Sequence, residues 1–112
     1  MPPGSEKSDL VQGTLEMLIL KTLTLAPLHG YAIAQHLART SNDVLRVEQG
    51  SLYPALERLL SKGWATAKWG QTTTGRRARF YTITTSGRKH LGDALSDYDR
   101  AALAIARVLG RA

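Results

Sequence analysis

Apolar residues recur at helical spacing in the first quarter of the chain. From about Thr14 to Ala26, a turn of ~100° per residue puts Leu15, Leu18, Ile19, Thr22 and Ala26 on one face. Met17, Leu20 and Thr24 fall on the opposite face, with Glu16 and Lys21 between. Thr14 can cap this helix by accepting from the free N–H groups of its first turn. A helix on the surface of a monomer carries one apolar stripe. Two opposed faces predict packing on the chain's own core and on a second subunit; a central helix buried all round fits the same pattern. Pro27 and Gly30 break the helix. A second helix runs from about Tyr31 to Thr40, with Ile33, Ala34, Leu37 and Ala38 inward and Tyr31, Gln35 and Arg39 outward. Ser41-Asn42-Asp43 is a polar break, and Val44-Leu45-Arg46-Val47 predicts a short strand or extended linker.

A third helix is predicted from about Ser51 to Lys62. Ser51 is the N-cap candidate, Pro54 stands in the first turn and Gly63 provides a left-handed C-cap. Leu52, Ala55, Leu56, Leu59 and Leu60 form its apolar stripe. Ser51, Pro54, Arg58, Ser61 and Lys62 form the face left for a partner, flanked by Tyr53 and Glu57. Residues 64–69 and 78–84 alternate and are rich in β-branched and aromatic side chains, as paired strands are. The glycine-bounded connector 70–77 predicts a hairpin with a mobile tip. Trp64 and Trp69 are expected to pack under it, one on each side of the strand. Thr84 or Thr85 caps a last helix reaching about Leu109. Along it Leu91, Leu95, Tyr98, Ala102, Ile105 and Leu109 repeat at alternating spacings of four and three, the seam of a helix that pairs with another. With the first helix, through Met17 and Leu20, this seam predicts a dimer; packing within one chain is the alternative.

Charge adds a direction to this pattern. Between Glu57 and Asp93 there is no acid, while Arg58, Lys62, Lys68, Arg76, Arg77, Arg79, Arg88 and Lys89 are all basic. With a net charge of +6, an anionic partner is expected. The absence of cysteine removes disulfides, thiol catalysis and zinc-ribbon ligands. No apolar run approaches the ~20 residues of a membrane span, so no membrane role is expected. Residues 1–9 read as a disordered leader without a signal-peptide core, and the location expected is cytoplasmic. His29, His36 and His90 are scattered, Gly50-Ser51-Leu52 lacks the rest of a nucleophile elbow, and residues 70–75 lack a Walker lysine. No catalytic constellation, metal site or cofactor is expected.

Helix, helix, short strand, helix, hairpin, helix is the order of a winged helix-turn-helix. The fold class is mainly α with a small β-hairpin: a winged-helix DNA-binding domain over residues 10–85 and a C-terminal dimerisation helix over 86–112. In that frame Ser51 and Tyr53 offer hydroxyls to phosphates or base edges. Arg58 reaches a phosphate or a guanine, and Arg76, Arg77 and Arg79 lie along the wing, on double-stranded DNA. A protein-interaction module using the same face, or a ligand sensor without direct operator reading, are the competing classes. The acid-free stretch favours DNA.

Three strings carry a more specific resemblance. Residues Gln12-Gly13-Thr14-Leu15-Glu16-Met17-Leu18-Ile19-Leu20, Pro27-Leu28-His29-Gly30-Tyr31-Ala32-Ile33 and Gly50-Ser51-Leu52-Tyr53-Pro54-Ala55-Leu56 closely resemble the PadR family of bacterial transcriptional regulators. Arg76-Arg77-Ala78-Arg79-Phe80-Tyr81 and Thr84-Thr85-Ser86-Gly87-Arg88 fit that family's wing and the start of its C-terminal helix. The resemblance implies a homodimeric repressor of a near-palindromic operator, with Tyr31, Ser51, Tyr53, Pro54, Arg58, Arg76, Arg77 and Arg79 on DNA. Having one helix after the wing, the chain resembles the family's short branch. Release by a small aromatic or lipophilic effector is also implied, with Met17, Leu20 and Tyr98 as the lining expected for such a site between subunits.

Overall fold

The computed structural model describes residues 3–111, with side chains described from Gly13 onward. There are four helices, α1 (Pro3–Leu23), α2 (Gly30–Thr40), α3 (Gln49–Ser61) and α4 (Thr85–Val108), and a small sheet. Its strands are β1 (Leu28–His29), β2 (Ala65–Gln71) and β3 (Arg77–Ile83), antiparallel in the order β1-β3-β2. The expected leader thus carries helical backbone from Pro3, while Met1 and Pro2 lie outside the described residues. Thr14 is an interior residue of α1 and does not cap it.

α1 is the centre of the molecule. Leu15, Glu16, Met17, Ile19, Leu20, Thr22 and Leu23 are all buried, so the two apolar faces are two sides of one intramolecular core. α2, α3 and α4 all pack against this helix. Thr22 removes its hydroxyl from the apolar surroundings by donating to the Leu18 carbonyl at 2.8 Å. Ile33, Leu37, Leu52, Ala55, Leu56, Leu59, Tyr81, Ile83 and Leu91 complete the core.

The short strand formed elsewhere than expected. Residues 44–47 pair with no strand; the N–H groups of Val44 and Leu45 go to the carbonyl and Oγ of Ser41, at 3.1 and 2.8 Å. The outer edge of β3 is covered by Leu28 and His29, opposite Tyr81 and Phe80. His29 then caps α2, its Nδ1 accepting from the Ala32 N–H at 3.3 Å.

α3 starts two residues before the expected Ser51 cap. The Glu48 carbonyl accepts from Ser51 and Leu52 at 3.0 and 2.9 Å, so Pro54 stands well inside the helix rather than in its first turn. Its other end is as expected. Gly63, at φ 74°, lets Trp64 N–H reach the Leu59 carbonyl at 2.9 Å and its own N–H reach Leu60 at 3.1 Å. The hairpin turn is equally tight. Gly75 N–H bonds the Thr72 carbonyl at 2.9 Å, Thr72 N–H bonds the Arg76 carbonyl at 2.8 Å, and Gly75 takes the left-handed φ of 82° that this three-residue loop demands.

α4 is anchored at its start and free at its end. The Thr84 hydroxyl accepts from Gly87 N–H at 2.9 Å and donates to the Gly63 carbonyl at 2.7 Å, tying the cap of α4 to the end of α3. His90 stacks on Trp64 with ring centroids 3.5 Å apart. From Leu95 to Arg111, every residue but Ala106 is exposed. Among the described residues, no helix is long and apolar enough to cross a membrane.

Candidate nucleic-acid interface

Strand alternation decides what the wing shows to α3. Ala67, Trp69 and Gln71 stand opposite Tyr81, Arg79 and Arg77 and share one face of the ribbon. Together with α2 and α3 that face borders an open groove of about 1030 Å³, lined among others by Tyr31, Gln35, Tyr53, Trp69, Arg76 and Arg77. Tyr31 and Gln35 lie one turn apart on α2, as do Tyr53 and Glu57 on α3. Tyr53 is half exposed and closely seated: a Cβ on Gly30 would come within 3.1 Å of its ring. Gly30 thus lets α2 and α3 approach closely enough for both tyrosines to face the groove. Tyr81, buried, forms part of its floor. Burial pushes the Tyr81 phenol above its ordinary value, the nearby Arg79 guanidinium opposing this, so it stays neutral in the physiological range.

The cations are not equivalent. Arg76 and Arg77 are exposed at the wing tip. The Arg77 guanidinium lies over the Trp69 ring, 4.7 Å from its centroid. Arg79 instead donates to Glu57 Oε1 at 3.0 Å and lies 5.8 Å from the Tyr81 ring centre. It therefore holds the wing to α3, with much of its charge balanced by Glu57.

Arg58 departs further from expectation. Its Nε donates to Glu16 Oε1 at 3.3 Å, and Lys62 Nζ lies 3.7 Å from the same oxygen. The side chains of Arg58 and Glu16 are 30% and 10% exposed, and Arg58 Nη2 is buried without a hydrogen-bond partner. Of the α3 face that the helical wheel left for a partner, α1 reaches the part that carries Arg58 and Lys62, while Ser51, Pro54 and Ser61 remain exposed. Arg58, expected to face outward, is thus part-buried and paired within the chain. Ser51 is exposed, but borders a separate depression with Leu15, Leu18, Val44 and Leu45, away from the wing. Pro54 is exposed on α3. Gln35, Glu57 and Trp69 were missed as groove residues. The spacing from Tyr31 to Gln35, and the strand register once the turn is fixed, were the available signals.

The dimer seam divides as well. Met17 and Leu20, 8% and 0% exposed, and Leu91 belong to the chain's own core and cannot present an interface. The slot expected between Met17, Leu20 and Tyr98 is accordingly closed on the α1 side. Leu95, Tyr98, Ala102, Ile105 and Leu109 are exposed.

A three-helix core, a hairpin wing and a long terminal helix define a winged helix-turn-helix protein. Residues 19–93 match the Transcriptional regulator PadR-like family, and the chain belongs to that family. It is 26% identical over 92 residues to an uncharacterized protein of Lysinibacillus sphaericus, covering 82% of this chain and 84% of that one. Its structure is similar to a transcriptional regulator from Clostridium thermocellum, at a TM-score of 0.81 and 23% identity, covering 88% of this chain and 96% of that one. A PadR family transcriptional regulator from Eggerthella lenta superimposes with a TM-score of 0.77 at 27% identity, over 95% and 90% of the two chains. This is a family of transcriptional regulators, not of enzymes.

Proposed function

We propose that the protein binds an operator in double-stranded DNA as a homodimer, acting as a repressor. The observation that supports it best is the groove in which hydroxyl and amide side chains of α2 and α3, Tyr31, Gln35 and Tyr53, meet the wing-tip Arg76 and Arg77. Tyr53, with Pro54 beside it, enters the major groove, and Arg76 and Arg77 reach the flanking backbone or minor groove. Ser51 serves at the start of α3, through a phosphate. Arg58 and Arg79 act indirectly, by fixing α3 against α1 and the wing against α3. A mobility-shift titration on random duplex at low salt tests the reading. Arg76→Ala with Arg77→Ala is expected to weaken binding to all sequences and to lower the salt slope by about 2 per protomer. Tyr53→Phe is expected to affect a selected operator fragment more than random duplex. No shift by a folded protein would favour the protein-interaction module instead.

Dimerisation rests on the exposed stripe Leu95, Tyr98, Ala102, Ile105 and Leu109, too apolar to remain in water along one helix. Paired α4 helices would set two α3 helices about one turn of DNA, ~34 Å, apart. Ile105→Glu puts a carboxylate into that seam. Sedimentation equilibrium should show the dimer dissociation constant raised by about a hundredfold, with the monomer still folded. An effector that releases DNA would enter along the exposed part of the seam, at Tyr98, because Met17 and Leu20 are enclosed.

A further inference from the structure

We infer that Trp69 is a positioning residue for DNA, holding the Arg77 guanidinium with its hydrogen-bonding edge turned to the duplex; this rests on the DNA reading above. Trp69 is 59% exposed, on the groove face of β2, and contributes nothing to the core cluster. Its ring is covered on one side by Arg77. The register makes this contact a diagonal one, since Trp69 stands opposite Arg79 and Arg77 stands opposite Gln71. Arg79 cannot take the same place because Glu57 holds it.

Guanidinium is planar, and its face and edge have different uses. Stacking on indole occupies the face and leaves the N–H groups of the edge free for in-plane acceptors. A free arginine at a hairpin tip loses rotamer entropy when it binds; one already resting on a ring loses less. No acid is paired with Arg77 in any ion pair found among the described residues, so its charge is left for a ligand. The acceptors it would meet are the oxygens of a DNA strand, either phosphates beside the groove or base-edge acceptors in a narrow minor groove.

The test compares Trp69→Ala, Trp69→Phe, Arg77→Ala and the Trp69→Ala/Arg77→Ala double variant in fluorescence-anisotropy titrations. The duplexes are one A·T-rich and one G·C-rich. Trp69→Ala should weaken binding about threefold per wing, about tenfold for a dimer engaging two wings, while Trp69→Phe keeps most of the affinity. The double variant should bind no worse than Arg77→Ala alone. A loss confined to A·T-rich duplex places the edge on minor-groove acceptors, and an equal loss on both places it on phosphates. Unchanged binding by Trp69→Ala, or losses that add in the double variant, overturns the proposal. Failure of the unsubstituted protein to bind either duplex overturns the DNA reading together with it.

Discussion

Glu16→Ala is expected to lower the unfolding free energy by about 3 kcal/mol, seen as a lower urea midpoint at unchanged slope. The substitution removes the carboxylate that, among the described residues, pairs with Arg58 and Lys62 at the junction of α1 and α3. Arg58 would then keep a partly buried charge with neither an ion-pair partner nor an acceptor for Nε, beside an Nη2 that already lacks one. Breaking one side of a buried pair costs about 3–5 kcal/mol, and the 30% exposure of Arg58 places this case at the lower end. Glu16→Gln keeps an acceptor oxygen and should cost less. Glu16→Leu combined with Arg58→Met removes both charges and should recover most of the loss, because a well-packed apolar pair often replaces a buried ion pair without penalty. If the double variant is as unstable as Glu16→Ala, the cost lies in packing and the ion pair does not explain it.

The same triad bears on DNA binding without touching DNA. Glu16 fixes α3 through two cations one turn apart, while Lys62 also lies over Trp64, 4.8 Å from the ring centre, and Trp64 stacks on His90 of α4. The orientation of the helix that carries Tyr53 therefore depends on contacts with α1 and α4. Glu16→Gln should accordingly reduce affinity for a selected operator fragment more than for random duplex, since a small tilt of α3 disturbs base contacts before phosphate contacts.

How far the sequence discloses this depends on the range of each interaction. α2, the end of α3, the hairpin and the cap of α4 were legible because their causes are local: a 3.6-residue period, strand alternation, Gly63, Gly75 and Thr84. β1 was not. Two residues are too few to show alternation, and Leu28 and His29 become a strand only because the edge of β3 arrives beside them. Val44–Val47 has the composition of a strand but no edge to join. Arg58 falls on the outward side of an isolated α3; that Glu16 of α1 engages it there is a fact of tertiary packing, carried by a contact 42 residues away in sequence. Met17 and Leu20 show the converse. Periodicity identified two apolar faces on α1 and could not tell whether one chain or two would cover them. The half of α4 beyond Leu95 stayed exposed, so only there does the expected seam remain available.

The opposite response is expected from two glycines of α4. In an open helix, Gly→Ala stabilises by roughly 0.5–1 kcal/mol, because alanine loses less backbone entropy on folding. Gly92 has open space around its missing Cβ, and Gly92→Ala should raise the melting temperature by a few degrees. At Gly87 a Cβ would overlap the Trp64 carbonyl oxygen and stand 2.9 Å from Ile83 Cγ1. The carbonyl cannot move away freely, since it accepts from Thr84 N–H at 3.0 Å. Relief requires the first turn of α4 to lift, which breaks that bond and pulls the Thr84 hydroxyl from Gly63. Overpacking costs about 1–3 kcal/mol and loss of a cap about 1 more, outweighing the helical gain. Gly87→Ala should therefore lower stability by about 3 kcal/mol and the melting temperature by roughly 10 °C or more. The terminal helix is thus held by a contact that admits only glycine. If Gly87→Ala melts with or above the unsubstituted protein, α4 does not dock this closely on the start of β2.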